Sequence, residues 1–349
     1  MVSKTFSPFT LRGMSLKNRI VMSPMLMYAA AEDGVMNDRL FVHYGARALG
    51  GVGMIVTEVL AVEPRGRISA QDMGIWSDGQ VEGLRRMVDF AHSCDVKVVA
   101  QLAHAGRKSH IKGTAIAPSA VPYDEKLDAP KEADPDDLQK VIAAYQAAVC
   151  RAMDAGFDAI EIHAANGYLL HEFLAPATNQ REDDYGGDDV KRMAFPLEVV
   201  STVRAALPED KPLLYRMCAD DLTEGGITLK QSLLLASKLR DSGVDLIDAT
   251  TGNLFPERYA GDVFPGYQVR YAEEIKKATG IATATTGSIA SLDLMEEIIG
   301  AGRVDLVFMG RQLMRNPFWA IEAARQAGVE IDLPIPTYAR ATSPFERGF

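Results

Sequence analysis

The sequence predicts an α/β protein built as a single (β/α)8 barrel (a TIM barrel), and three observations carry that expectation. Short runs rich in Val, Ile and Leu alternate eight times with segments of helical period. The chain has 349 residues, a length that α/β barrels reach as one domain. Polar residues gather at the ends of the apolar runs, where barrels carry their chemistry.

Strands are expected at Arg19–Pro24, Gly53–Val59, Val96–Leu102, Ala159–His163, Leu213–Met217, Leu246–Ala249, Ala282–Thr285 and Leu306–Met309. Helices are expected at 38–49, 79–93, 135–155, 189–206, 228–242, 269–279, 291–300 and 317–327. Strict alternation of eight strands with eight helices favours a closed barrel over an open sheet. The surplus over a minimal barrel falls in long loops at 103–133 and 164–188 and in a tail at 329–349. Loops of that length are expected to be functional lids or disordered. The residues before the first strand are expected to form a small hairpin closing the barrel bottom. No linker divides the chain, so one domain over 1–349 is expected.

Composition narrows the function. Hydrophobic residues make up 47% and charged residues 24%, as in a soluble enzyme, and the net charge is −10. That balance argues against a nucleic-acid surface and an anionic membrane. No apolar run approaches the roughly 20 residues of a membrane helix. The start of the chain has no apolar signal region. Cys94, Cys150 and Cys218 are far apart with no C-x-x-C, which disfavours disulfides, zinc and iron–sulfur clusters. A reduced cytoplasmic protein without a metal is the expectation.

The expected strand ends carry the candidates. The first delivers Met25, Leu26 and Tyr28, the second Glu58 and Leu60, and the third Gln101 and His104. After strands seven and eight stand Gly287–Ser288 and Gly310–Arg311, where barrels commonly hold phosphate. Glycine lets backbone N–H groups approach phosphate oxygens, and Arg311 adds charge. The segment from Glu161 to His171 holds the densest signal. Alternation puts Glu161 and His163 on one face, with His163 at the mouth. His163 and Asn166 can donate to one substrate oxygen, and the Tyr168 phenol suits a general acid. Arg216 reads two ways, as an ion-pair partner of Glu161 or as a positive charge beside an electron-rich cofactor. His43, His92 and His110 lack clustered ligands and read as structural.

The chain resembles the old yellow enzyme family, especially its thermophilic-like subclass. The motifs run along nearly its whole length: Leu16-Lys-Asn-Arg-Ile, Ser23-Pro-Met25, Tyr28, Gly66-Arg67, Gly74-Ile-Trp76, Gln101 to Arg107, Ala117-Pro-Ser119, Glu161-Ile-His163, Gly167-Tyr168, Asp184 to Gly187, Phe264-Pro-Gly266 and Phe308 to Arg311. The resemblance implies FMN over the barrel mouth, flanked by Ser23, Pro24, Met25, Leu26 and Leu60. It implies that Gln101 and Arg216 meet the pyrimidine edge and that Gly287, Ser288, Gly310 and Arg311 hold the phosphate. It further implies that Tyr28, His163 and Asn166 bind substrate and that NADPH or NADH is the reductant. Hydride then passes from flavin N5 to Cβ of an enone, enal or maleimide, and Tyr168 protonates Cα. The resemblance also implies a homodimer or dimer of dimers in which Arg347 reaches a neighbouring subunit's site.

Leu26 departs from the subclass, which usually has cysteine there. Leu60 is bulkier than the small residue expected at its position, and Asn166 stands where histidine is commoner. A flavin-dependent demethylase or desaturase, and a non-catalytic flavin-binding redox sensor, are the alternative readings. A Schiff-base aldolase lacks its strand-end lysine, and a metal hydrolase lacks its histidine cluster.

Overall fold

Strand by strand, alternate residues face alternate layers, and that alternation builds the molecule. In a computed structural model, which describes residues 3–256, 261–332 and 334–335, eight parallel strands close on themselves. They are β1 (Ile20–Met22), β2 (Met54–Val56), β3 (Lys97–Ala103), β4 (Ala159–Ala164), β5 (Leu213–Cys218), β6 (Leu246–Thr250), β7 (Ala282–Thr285) and β8 (Leu306–Met309). Neighbours pair in chain order, and Val307 opposite Ile20 closes β8 onto β1.

The ring of helices is α1 (Asp38–Leu49), α2 (Val81–Ser93), α3 (Pro135–Asp154), α4 (Asp189–Ala206), α5 (Leu229–Asp241), α6 (Val269–Thr279), α7 (Leu292–Gly300) and α8 (Trp319–Ala327). Local chemistry sets their ends. Asp134 caps α3 with Pro135 in its first turn, and Thr228 with Gln231 forms a capping box on α5. Gly280 ends α6 in the left-handed region. β1 stops because Ser23 N–H gives the last ladder bond, to Met309 O, and Pro24 has no N–H to continue it.

Residues facing outward, such as Ile160, Ile162, Leu213, Tyr215 and Ile247, pack under the helices. Inward residues Val21, Met54, Val99, Ala159, Leu214, Leu246 and Leu306 form a second, apolar cluster inside the barrel. The antiparallel hairpin Phe9–Leu11/Met14–Leu16 closes its lower end, with Leu11, Met14 and Leu16 in the same cluster.

The two long loops are more ordered than their composition suggests. Residues 103–133 contain a 3-10 turn at Pro-free Gly106–Lys108 and a parallel ladder of Ile116–Ala117 with Lys131–Glu132. Residues 164–188 contain the short helix Leu169–Leu174, all six of whose residues are buried. Both segments are too short to show a period, and both draw their order from neighbours distant in sequence. Among the described residues, no helix is long and apolar enough to cross a membrane. Arg347 and the end of the tail lie outside the described residues.

Candidate active site

One step toward the mouth from the apolar floor, the inward positions turn polar. Gln101, Glu161, Arg216 and Asp248 are all buried there. Gln101 Nε2 donates to Glu161 Oε1 at 2.7 Å, while Arg216 Nη1 pairs with Asp248. The carboxylate partner of Arg216 is therefore Asp248, not Glu161. Burial and the nearby Asp248 charge push Glu161 up out of the usual carboxylate range, against the pull of Arg216 and Gln101. One arginine beside two carboxyls leaves one of them to hold a proton. Glu161 suits that role, because its direct partner is a neutral amide.

Above this layer lies a cavity of about 130 Å³, lined by Pro24, Leu26, Val59, Ile68, Gln101, His163, Asn166, Tyr168 and Arg216. His163 is buried, and burial first, then the Arg216 charge, holds its pKa well below the ordinary value. Its Nδ1 accepts from Ala165 N–H at 3.3 Å, which assigns the proton to Nε2 and makes that nitrogen a donor. Tyr168 stacks edge-on to His163 with ring centroids 5.0 Å apart. Burial, with Tyr28 and Asp72 nearby, raises its pKa, so the phenol stays protonated. Asn166 and Gly167 follow β4 with φ of 58° and 72°. Gly167 is required there: a Cβ would lie 2.8 Å from Asn253 O.

Leu26 packs with Tyr168 against Val59, Ile68, Ala103 and Ala105, an apolar wall that accepts leucine. Met27 N–H donates to Glu58 Oε2 at 2.5 Å and anchors this segment, while Tyr28 is exposed with φ of 51°. Leu60 does not line the cavity. It pairs beside Leu102 and belongs to the outer core, while Val59, in the bend that follows Met54–Val56, lines the cavity. His104 also turns away, pairing with Glu63 at 2.8 Å.

A second cavity, of about 470 Å³, shares Asn166 and Arg216 with the first and runs to Gly287, Ser288, Gly310 and Arg311. Gly287 has φ of 113°, and a Cβ on it would meet the Tyr267 ring at 3.2 Å. Ser288 is also left-handed, with φ of 57°, and Arg311 Nη2 reaches its hydroxyl at 3.5 Å. Met25, Thr250, Gln268 and Arg315 are among the other residues of its walls. This cradle fits a phosphate, with glycine backbone and a guanidinium on one side. Arg216 Nε, buried and without a hydrogen-bond partner among the described residues, is a donor suited to an electron-rich ring between the two cavities.

Several contributors were not evident from the residue pattern. Val59 and Ile68 line the small cavity, and Lys108 Nζ donates to Asn166 O at 2.9 Å while sitting 5.1 Å from the Tyr168 ring centre. Lys108 follows the Gln101–Arg107 motif directly, which was its available signal. Burial lowers its pKa to about 8 and raises that of Glu172 to about 8. His171, Cys218 and Asp221 bring ligand-type atoms within 4.8 Å of one another. However, His171 Nδ1 accepts from Gly167 N–H at 2.9 Å, so Nε2 carries the proton toward Asp221 and has no lone pair for a metal.

A barrel with a phosphate cradle opening onto a small chamber of directed donors defines the class: an enzyme that sets a nucleotide-type cofactor against a small substrate. The sequence matches the NADH:flavin oxidoreductase / NADH oxidase family over residues 4–329. An NADPH dehydrogenase of Geobacillus thermodenitrificans is 46% identical over 95% of this chain and 96% of its own. One from Listeria monocytogenes is 45% identical over 97% and 99%. Among solved structures, morphinone reductase superposes with a TM-score of 0.81 at 27% identity, covering 97% of this chain and 93% of that one. The chain belongs to the NADH:flavin oxidoreductase / NADH oxidase family, that of old yellow enzyme. It is a flavin oxidoreductase with FMN as cofactor and NADPH or NADH as reductant.

Proposed function

We propose that this enzyme reduces activated carbon–carbon double bonds in enones, enals and maleimides. The observation that carries the reading is one cavity holding the Nε2–H donor of His163, the Asn166 amide and the Tyr168 phenol, joined through Arg216 to the phosphate cradle. FMN, when bound, supplies a hydride to the substrate's Cβ.

The protein's own groups do the rest. Gly287, Ser288, Gly310 and Arg311 hold the phosphate, while Ser23, Pro24, Met25 and Leu26 flank the ring. Gln101 and Arg216 would meet its pyrimidine edge, where the Arg216 charge would favour the electron-rich ring. His163 and Asn166 donate to the substrate's carbonyl oxygen, where charge develops in the transition state. Tyr168 gives its proton to Cα, balancing the hydride at Cβ, and the exposed Tyr28, near Tyr168, binds substrate from outside the cavity lining. The apolar wall of Leu26, Val59 and Ile68 favours small or flat substrates over branched ones.

Anaerobic titration tests this directly. Purified protein should be yellow, bleach with NADPH and recover its colour with cyclohexenone; a colourless protein that cannot be reconstituted with FMN contradicts it. The same reading makes residues 1–349 one cytoplasmic domain that assembles as a homodimer or dimer of dimers. In that assembly Arg347 of the tail reaches a neighbour's site. Mixing Tyr168→Phe chains with Arg347→Ala chains should restore activity, and a monomer by light scattering would end that part.

A further inference from the structure

Two consecutive left-handed residues, Asn166 and Gly167, make the bend that separates β4 from the short helix Leu169–Leu174. Asparagine is among the residues that adopt that conformation most readily, and hydrogen bonds from its surroundings fix it there. One support is the Lys108 ammonium on Asn166 O. Others are Asn253 Nδ2 on Asn166 Oδ1 at 3.4 Å and Tyr168 N–H on Ala165 O at 3.2 Å, and a further one comes from a side chain that lines neither cavity.

His171 is fully buried, and its Nδ1 accepts the Gly167 N–H at 2.9 Å. Its Nε2–H donates to Asp221 Oδ2 at 3.1 Å. Asp221 is itself fixed by Ile227 N–H at 2.8 Å and by the Cys218 thiol at 3.3 Å. Burial alone would raise the Asp221 pKa, but His171 and these donors outweigh it and hold the carboxyl below its ordinary range. An ionised Asp221 keeps the imidazole proton on Nε2, and therefore keeps Nδ1 free to accept.

We infer that His171, oriented by Asp221, is a positioning residue that sets the Asn166–Gly167 bend and so aims the Asn166 amide and the Tyr168 phenol into the cavity. This rests on the proposed role of that cavity as the substrate-oxygen site. His171 does not touch substrate; it acts through one backbone N–H. The neutral tautomer is essential to it, since a proton on Nδ1 would face the Gly167 N–H.

Two substitutions of similar polarity separate the two halves of the imidazole. His171→Asn keeps an acceptor near the Nδ1 position, toward Gly167, and gives up the bond to Asp221. His171→Gln keeps an amide near the Nε2 position, toward Asp221, and gives up Gly167. The readout is the Kd for p-hydroxybenzaldehyde on the FMN-loaded protein, followed by the flavin spectrum, with FMN content and thermal midpoint measured on each variant. His171→Asn should bind within about threefold of wild type and His171→Gln roughly tenfold more weakly, the scale of one lost hydrogen bond. Gly167→Ala, which disturbs the same bend from the other side, should resemble His171→Gln and serves if the glutamine chain does not fold. A role in stability alone predicts no such order. Equal affinities for the two His171 variants, or the reverse order, overturn the inference. His163→Ala is the control: if it leaves the Kd unchanged, the reading of the cavity fails, whereas a weakened His163→Ala beside an unaffected His171→Gln overturns only the present inference.

Discussion

At the foot of the barrel, Val99, Ala159, Leu214 and Leu246 point inward and meet the leucines of the closing hairpin. Two residues further along the same strands stand Gln101, Glu161, Arg216 and Asp248, equally buried. The backbone is continuous and the pairing unbroken, so the change is one of side chain alone. The lower layer gains stability from removing apolar surface from water. The upper layer gives up some of that gain to hold charge and directed donors beneath the cavity proposed here to receive flavin and substrate. A barrel can afford this because the costly groups pair with each other, Gln101 with Glu161 and Arg216 with Asp248.

If the layers divide the work in this way, substitutions in each should separate stability from activity. The largest effect is expected at the floor. Leu246→Ala should cost about 2–5 kcal/mol of stability, read by denaturant unfolding, with turnover of the folded fraction near that of wild type. A stable Leu246→Ala protein with impaired turnover would break the division. At the mouth the pattern should invert. His163→Ala should slow enone reduction about 10²–10³-fold, the cost of one oxyanion donor, and lose less stability than Leu246→Ala.

A smaller effect tests the charge balance of the polar layer. The folded-state pKa of Glu161 is raised above its ordinary 4.5, so the folded protein binds a proton that the unfolded chain releases. Stability from this group is complete below that value and is lost as pH rises through it toward the raised folded value. Glu161→Gln removes the dependence. Its thermal midpoint should therefore gain on wild type as pH rises from 4.5 to 8, and parallel curves would show that Glu161 is ionised in the fold.

The smallest effect concerns the wall. Leu26 packs against Val59 and Ile68 and offers no hydrogen bond. Leu26→Cys should move the flavin potential by only about 10–30 mV, the equivalent of about 0.5–1.5 kcal/mol for a two-electron couple. It should also broaden acceptance of bulky enones. A wild type inert toward every enone and maleimide, with strong activity appearing in Leu26→Cys, would move the native reaction elsewhere.

The contrast between the layers also explains what the residue pattern could reveal. The eight strands are legible because short apolar runs such as Leu213–Met217 are buried on both faces and are each followed by a segment of helical period. His163, Asn166 and Tyr168 were legible because a strand end in a barrel faces the mouth. Leu60 faces the outer core and Val59 lines the cavity instead, because the chain bends at 57–59 between Met54–Val56 and Leu60, and a bend breaks the period that would have placed them. The pairing of Arg216 with Asp248 depends on register between two strands, which composition does not encode. His171 and Lys108 stand inside or beside motifs the sequence displays, but their action on the Asn166 and Gly167 backbone depends on how the loop folds, which spacing does not encode.

The central claim is that Tyr168 delivers the proton that completes reduction of the double bond. Stopped-flow measurement of both half-reactions in wild type and Tyr168→Phe tests it most directly. Flavin reduction by NADPH should stay close to the wild-type rate while reoxidation by cyclohexenone slows by orders of magnitude. Equal slowing of the two half-reactions, or unimpaired reoxidation in Tyr168→Phe, would contradict it.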